Sequence, residues 1–314
     1  MVDVQFGVPQ GSVLGSVSFN PYVNDLSDSL GEVKCHQYAN ETTFYVHGKP
    51  SDITDCQERL SEALSRLSLW SKECNLSLNP TKTKTMLFST PQMARVHHLD
   101  DLQLNFAVDG HALERVTRTK LLGTEMQQNL KWEVDVNAKI ASCYSTLSIL
   151  RKLKSIAPFN VRKQLAECLI LSKLDYNITV TYPVPEYLIK RLQRVQLAAG
   201  GFVYNRFVEL SDIVRLGWLP IKERQDFLLS KLAFKALHSP HWPQHLKLEY
   251  YIPTRTLRSA SQYKLEITHT RDTFQYSASK VFNSLPLCTR SYLDLHQFNR
   301  GAKKYFAADA ANSL

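Results

Sequence analysis

The chain lacks any long apolar run, any paired-cysteine motif, any internal repeat and any low-complexity stretch. Charged residues or prolines break every hydrophobic run well before the ~18 residues that a membrane-crossing helix needs, so no membrane partner is expected. The first residues, Met-Val-Asp-Val-Gln-Phe-Gly, hold neither a basic nor an apolar leader segment, and no secretory signal is expected. Six cysteines stand at 35, 56, 74, 143, 168 and 288, none in Cys-x-x-Cys or zinc-knuckle spacing. They read as free thiols of a reducing compartment, which points inside the cell, to nucleus or cytoplasm.

What is present is an ordinary apolar fraction, 44%, over 314 residues, enough for a true core and about two domains. The net charge of +9 is unevenly spread. Residues 1–110 hold 8 Lys/Arg against 13 Asp/Glu, and residues 111–200 hold 14 against 7. An acidic first third followed by a basic remainder suits a polyanionic partner gripped by the later part.

Residues 2–6 alternate like a strand, Gly7 to Gly11 form a turn around Pro9, and an apolar stretch runs from Val13 to Leu26. The β-branched and aromatic content of residues 34–47 predicts a hairpin with Ala39, Asn40 and Glu41 at its tip. Ile53, Cys56, Leu60, Leu64, Leu67, Trp70 and Cys74 recur at helical spacing, predicting a helix over 52–74 with Ser51 as its cap. A turn at Asn79-Pro80, a strand from Thr85 to Phe88 and short strands at 102–108 and 118–126 follow. Beyond residue 133 the pattern is helical, with helices expected to 150 and at 161–175, 186–199, 209–216 and 221–238. Pro183 and Pro185 mark a loop, and Pro158 ends one helix or starts the next. After residue 239 the signals weaken, to short strands near 262–268, a helix at 275–284 and then an Asp/His/Lys-bearing tail.

Several motifs fall in a fixed order. Gly7-Val8-Pro9-Gln10-Gly11-Ser12-Val13-Leu14-Gly15 continues through Phe19-Asn20 and Asn24-Asp25-Leu26. Then come Gln37-Tyr38-Ala39-Asn40-Glu41-Thr42-Thr43, Leu78-Asn79-Pro80 with Lys82-Thr83-Lys84, and Lys120-Leu121-Leu122-Gly123. Further along stand Leu192-Gln193-Arg194-Val195-Gln196, Gly217-Trp218-Leu219-Pro220-Ile221, Phe234-Lys235-Ala236-Leu237, Pro253-Thr254-Arg255 and Phe282-Asn283-Ser284-Leu285-Pro286. In this order and spacing they resemble the reverse transcriptases of non-LTR retrotransposons, the LINE-type elements in the jockey and CR1 style. The resemblance implies an α+β fold. It would hold a partial reverse-transcriptase palm of antiparallel strands with helices over 1–125, a helical thumb over 126–240 and a C-terminal extension over 241–314.

It also implies RNA-directed DNA synthesis, with RNA and DNA template-primer as partners and Mg²⁺ as cofactor. Gly7, Pro9, Gln10, Gly11 and Ser12 would form the template-and-nucleotide loop. Lys120 to Gly123 would form the primer-grip turn. Asn40 and Glu41 occupy the positions of the family's catalytic aspartate pair. Two-metal chemistry needs clustered anionic oxygens around hard cations. Asn40 offers a neutral amide, and Glu41 carries its carboxylate one methylene further out, a misplacement able to cost about a hundredfold. The upstream strand that holds the family's other aspartate is not found before Gly7, and neither Asp3 nor Asp25 matches its position. Ser16 and Ser18 replace the family's proline and apolar residues, and Pro21 falls inside the expected helix at about 3 kcal/mol. The expectation is therefore a truncated, inactive copy that retains no metal.

Other readings stand beside this one. A non-catalytic RNA- or DNA-binding module would use the basic later part, and a non-functional pseudogene product would expose sheet edges and be poorly soluble. Lys82 and Lys84 face phosphate or are simply solvated. Lys190, Arg191 and Arg194 share one side of a helix, opposite Leu188, Leu192 and Val195, and either contact a phosphate backbone or form a solvated basic face. His238, His241 and His245 have metal-like spacing, but Pro240 and Pro243 break the helix that would align them, so a plain loop is expected. Trp70, Trp132 and Trp218 read as core residues.

Overall fold

The computed structural model describes residues 13–252, 262–271 and 273–312. The expected strand at 2–6, the Gly7–Gly11 turn and the Pro253-Thr254-Arg255 segment lie outside the described residues. The chain divides into two compact units, residues 1–131 and 132–314. It is an α+β protein, and among the described residues the small sheets lie in the first unit and the second unit is helical.

The first unit is built on one amphipathic helix. It opens with α1 (Val13–Tyr22) and α2 (Leu26–Ser29), and then the hairpin of β1 (Lys34–Tyr38) and β2 (Glu41–Tyr45). Pro21 sits one residue from the end of α1, where it withholds the amide that the carbonyl four residues earlier would accept and so weakens the last turn alone. Helix α3 (Ile53–Glu73) follows a 3₁₀ turn, Pro50–Asp52. Its helical stripe splits between two small cores. Ala63, Leu67 and Trp70 pack with Val23, Leu26, Leu30 and Val33, while Leu60 and Leu64 face Phe106, Val108 and Leu113. Each large side chain so buried stabilises by about 1.5–3 kcal/mol. Ser51 does not cap α3: its hydroxyl donates to Asp52 Oδ1 at 2.7 Å, and the residue before the helix is Asp52, which makes no side-chain cap.

Then come β3 (Lys84–Thr85), α4 (Pro91–Val96), β4 (Ala107–Val108), β5 (His111–Ala112), β6 (Glu114–Arg115), β7 (Arg118–Leu121) and β8 (Thr124–Gln127). The strand expected over 85–88 shrinks to β3, which pairs in parallel with β6. Met86 to Phe88 are apolar but find no ladder partner among the described residues, and Phe88 remains exposed. Thr90 caps α4 by accepting from the Met93 amide at 3.2 Å.

The second unit holds α5 (Glu133–Leu150), α6 (Phe159–Ala166), a π-turn (Glu167–Leu171), α7 (Ser172–Asp175), α8 (Glu186–Tyr204), α9 (Leu210–Arg215), α10 (Ile221–His238), α11 (Phe274–Ser284), α12 (Leu287–Arg290) and α13 (Leu295–Asn312). One core gathers α5 to α9 around Leu147, Ile170, Val195 and Ile213. The other gathers α10, α11 and α13 around Phe234, Phe282 and Phe298. Trp132 is half-buried rather than in the core, because it precedes the first turn of α5. The Asp/His/Lys-bearing tail, to which the sequence assigns no element, is the 18-residue α13. The strands expected near 262–268 reduce to one antiparallel bridge, Tyr250 with Leu265. No described helix is long and apolar enough to cross a membrane.

Candidate nucleic-acid interface

The hairpin forms where sequence places it. Its strands pair in unbroken register from Lys34–Tyr45 to Tyr38–Glu41, leaving Ala39 and Asn40 as a two-residue turn with Ala39 at φ 50°. Alternation along the pleat puts Cys35 and Phe44 on the inner face, packed against the α3 core. Burial pushes the Cys35 thiol up from its ordinary pKa. Glu41 shares the outer face with Tyr38, His36 and Tyr45, and the last two stack with ring centres 5.6 Å apart. Asn40 and Glu41 are both exposed. Asp25 stands at the N-terminal end of α2 and accepts the Trp70 indole at 3.2 Å, so its carboxylate serves the core packing. Among the described residues no three His, Cys, Asp or Glu side chains group closely enough to hold a metal ion.

Lys82 follows the Asn79 turn, whose side-chain oxygen accepts the Lys82 amide at 3.1 Å, and its own side chain is exposed. Lys84 is different, because its ammonium pairs with Glu114 across the β3–β6 pair. Lys120 lies on β7, and the Lys120-Leu121-Leu122-Gly123 segment forms a tight hairpin turn into β8. Leu122 at φ 44° and Gly123 at φ 80° both take left-handed backbone, which explains glycine at the second position. Gly7, Pro9, Gln10, Gly11 and Ser12 lie outside the described residues.

In the second unit, Lys190, Arg191 and Arg194 lie along α8, with Leu188, Leu192 and Val195 buried on its other side. Lys190 and Arg194 are exposed and Arg191 is half-buried. Among the described residues no carboxylate lies within ion-pairing distance of the three. The structure thus brings these three cations onto one helix face, whereas Lys82 and Lys84 belong to the other unit. His238 closes α10 with its Nδ1 on the Phe234 carbonyl, 2.8 Å away, and its ring stacked on Phe234, while His241 and His245 fall in the turns that follow.

Sequence reasoning leaves one polar cluster unread. Gln196, fully buried, donates to the Leu219 carbonyl at 2.8 Å and accepts from Gln193. Gln193 in turn accepts the Ile221 amide at 2.9 Å, one of the open donors at the start of α10. Two segments of the resemblance, residues 192–196 and 217–221, are therefore partners in space. The available signal is a pair of glutamines three apart, flanked by the apolar stripe of Leu192, Val195 and Ala199. Trp218 adds a further bond from this segment, its indole donating to Glu167 in the π-turn at 2.7 Å.

Residues 3–126 match the family described as reverse transcriptase (RNA-dependent DNA polymerase). A probable RNA-directed DNA polymerase from transposon BS of Drosophila melanogaster is 27% identical over 156 residues, which cover 47% of this chain and 16% of that relative. The aligned stretch thus spans under a fifth of the relative's length. Over residues 3–126, then, this chain is similar to reverse transcriptases, and a transposon-borne RNA-directed DNA polymerase is among its relatives.

Proposed function

We propose that this chain derives from a LINE-type retrotransposon reverse transcriptase and binds RNA or DNA without catalysing nucleotide addition. The observation that carries the loss of catalysis is the turn of the β1–β2 hairpin, where the neutral Asn40 and the longer Glu41 stand in place of the family's two aspartates. A lone exposed glutamate beside an amide does not supply the oxyanion cluster that two divalent ions demand. Among the described residues the hairpin tip does not fit that pair of ions. In this reading residues 1–125 are part of a palm, 126–240 a thumb and 241–314 an extension of the retrotransposon protein.

The cationic face of α8 supports binding. Lys190, Arg191 and Arg194 present charge along one helix side, suited to a phosphate backbone. The test is primer extension by the purified chain with Mg²⁺ and with Mn²⁺. The expected result is no product above background, and extension by the parent protein overturns the claim of lost catalysis. Filter binding with RNA at two salt concentrations tests retained binding. Lys190→Gln/Arg191→Gln/Arg194→Gln is expected to lower the salt slope by about 2 for single strands, and no parent binding at low salt rules the binding reading out.

A further inference from the structure

A second surface of the helical unit carries a ligand argument of its own. Between Asp135 and Glu167 the sequence holds no acid, yet it holds Lys139, Arg151, Lys152, Lys154, Arg162 and Lys163. Lys139 and Lys163 pair with Asp135 and Glu167 one turn away and Arg162 is engaged by backbone carbonyls, which leaves Arg151, Lys152 and Lys154 of the connection from α5 to α6 without an ion pair among the described residues. The connection also leaves apolar side chains in water: Ile156 is 80% exposed and Phe159 41%.

The C-terminal end of α8 meets this corner. Arg162 stitches the two together, its Nε donating to the Val203 carbonyl at 3.0 Å and its Nη1 to the carbonyls of Lys154 and Ala157 at 3.1 and 2.9 Å. The Phe159 and Tyr204 rings touch, with centres 5.6 Å apart. Beyond them Phe207 is 87% exposed. Its backbone is firmly held. Asn205 turns the chain at φ 59°, and Arg206 donates to the Phe207 carbonyl at 2.8 Å and forks onto Asp212 at 2.9 and 2.7 Å. The acids nearest in sequence are Glu209 and Asp212, and Asp212 is already engaged by Arg206 and Arg215. A largely exposed ring on an anchored loop, just past a helix end that packs on a turn carrying unpaired cations, is an arrangement made before any ligand arrives.

We propose that this corner binds single-stranded nucleic acid, with Phe207 and Ile156 against unpaired bases and Arg151, Lys152 and Lys154 on the phosphates. This rests on the nucleic-acid-binding reading above. An outward aromatic ring stacks only on base faces that pairing leaves open, and cations spaced along a turn follow a flexible backbone. The corner lies apart from the α8 residues Lys190, Arg191 and Arg194 in sequence and adds a stacking contribution that a purely ionic face lacks.

The experiment is fluorescence anisotropy of the full chain with an unstructured single-stranded RNA, a DNA duplex and phosphatidylserine vesicles, each at two salt concentrations. Phe207→Ala/Ile156→Ser is expected to weaken RNA binding about tenfold with little change in salt slope. Arg151→Gln/Lys152→Gln/Lys154→Gln is expected to lower the slope by about 2. Both sets are surface changes, and an unaltered thermal melt shows that the fold survives. If the parent binds RNA and neither variant differs from it, the corner is ruled out while the binding reading stands. If the parent binds no nucleic acid at low salt, both fail. If the variants lose only vesicle binding, or only duplex binding, the surface belongs to a different ligand and the proposal is overturned.

Discussion

Single residues show which features of the sequence serve structure and which are free to serve a ligand. Gln193 and Gln196 are polar yet inward, joined to each other and to two backbone groups of the α10 start. Gln196→Leu leaves the Leu219 carbonyl without its donor and is expected to destabilise by about 1–3 kcal/mol, read as a lowered urea midpoint at unchanged slope. Asn40 and Glu41 behave oppositely. Both are exposed at the hairpin turn, so Asn40→Asp/Glu41→Asp is expected to leave the melt within the small range of surface changes, about 0.5 kcal/mol. That double variant still fails to extend a primer if the rest of the ion site is not supplied. The same contrast explains what the sequence discloses. The hairpin residues reveal their place through strand composition and a turn between, whereas the glutamines show only their spacing, and their partners, the Leu219 carbonyl and the Ile221 amide, are set once α10 is folded against α8.

At the scale of elements, legibility follows the width of the apolar stripe. Helix α3 reads directly, because Leu60, Leu64, Leu67 and Trp70 are large and regularly spaced. Helix α10 reads to its exact ends, Ile221 and His238, because prolines bracket it. Helix α13 does not, since much of its buried face is alanine, at Ala302 and Ala310, and Gly301 interrupts it. That glycine is there for space, because a Cβ would stand 3.0 Å from the Tyr292 ring and 3.1 Å from Thr289 Oγ1. Gly200 in α8 is tighter still, its Cβ falling 2.8 Å from Ile213 Cδ1 where α9 crosses. Gly200→Val is expected to destabilise by about 1–3 kcal/mol through overpacking, seen as a lowered melting temperature. The α5–α6 corner was signalled only by the missing acids between residues 136 and 166, a feature of charge and not of periodicity.

Two carboxylates on neighbouring elements should respond to pH in opposite senses. Burial raises the Asp226 pKa although Tyr182 donates to it at 2.9 Å. Its ionised form therefore weakens the fold, and its contribution is most favourable below the ordinary carboxylate range and is lost as pH rises through the raised value. Asp226→Asn is expected to melt higher than the parent at pH 7, with the gap closing toward pH 4. Hydrogen bonds from Arg206 and the Glu209 amide lower the Asp212 pKa. Its contribution is present above the ordinary range and lost as pH falls through the lowered value. Asp212→Asn should melt lower than the parent at pH 7, and that gap narrows in acid. Paired melts at pH 4 and pH 7 measure both.

For the whole molecule, the two units differ in what holds them. The first spreads its apolar side chains over two small clusters along α3, with two-stranded ladders of two to five residues. The second has two larger cores, and Arg224 pairs with Asp175 between its elements as Lys84 pairs with Glu114 in the first. Limited proteolysis is expected to cleave within residues 13–131 first and to leave a product beginning near residue 132 that melts cooperatively. Early cleavage across 132–312 would contradict this.

The paired glutamines of α8 also bear on motion. Sliding α8 along α10 by one helical turn would carry the Gln196 amide away from the Leu219 carbonyl and strand both in an apolar interior. The bundle therefore has one permitted meshing of these two rods, like a keyed shaft. Any large motion of this part of the protein has to be a swing of the assembled block, not slippage within it.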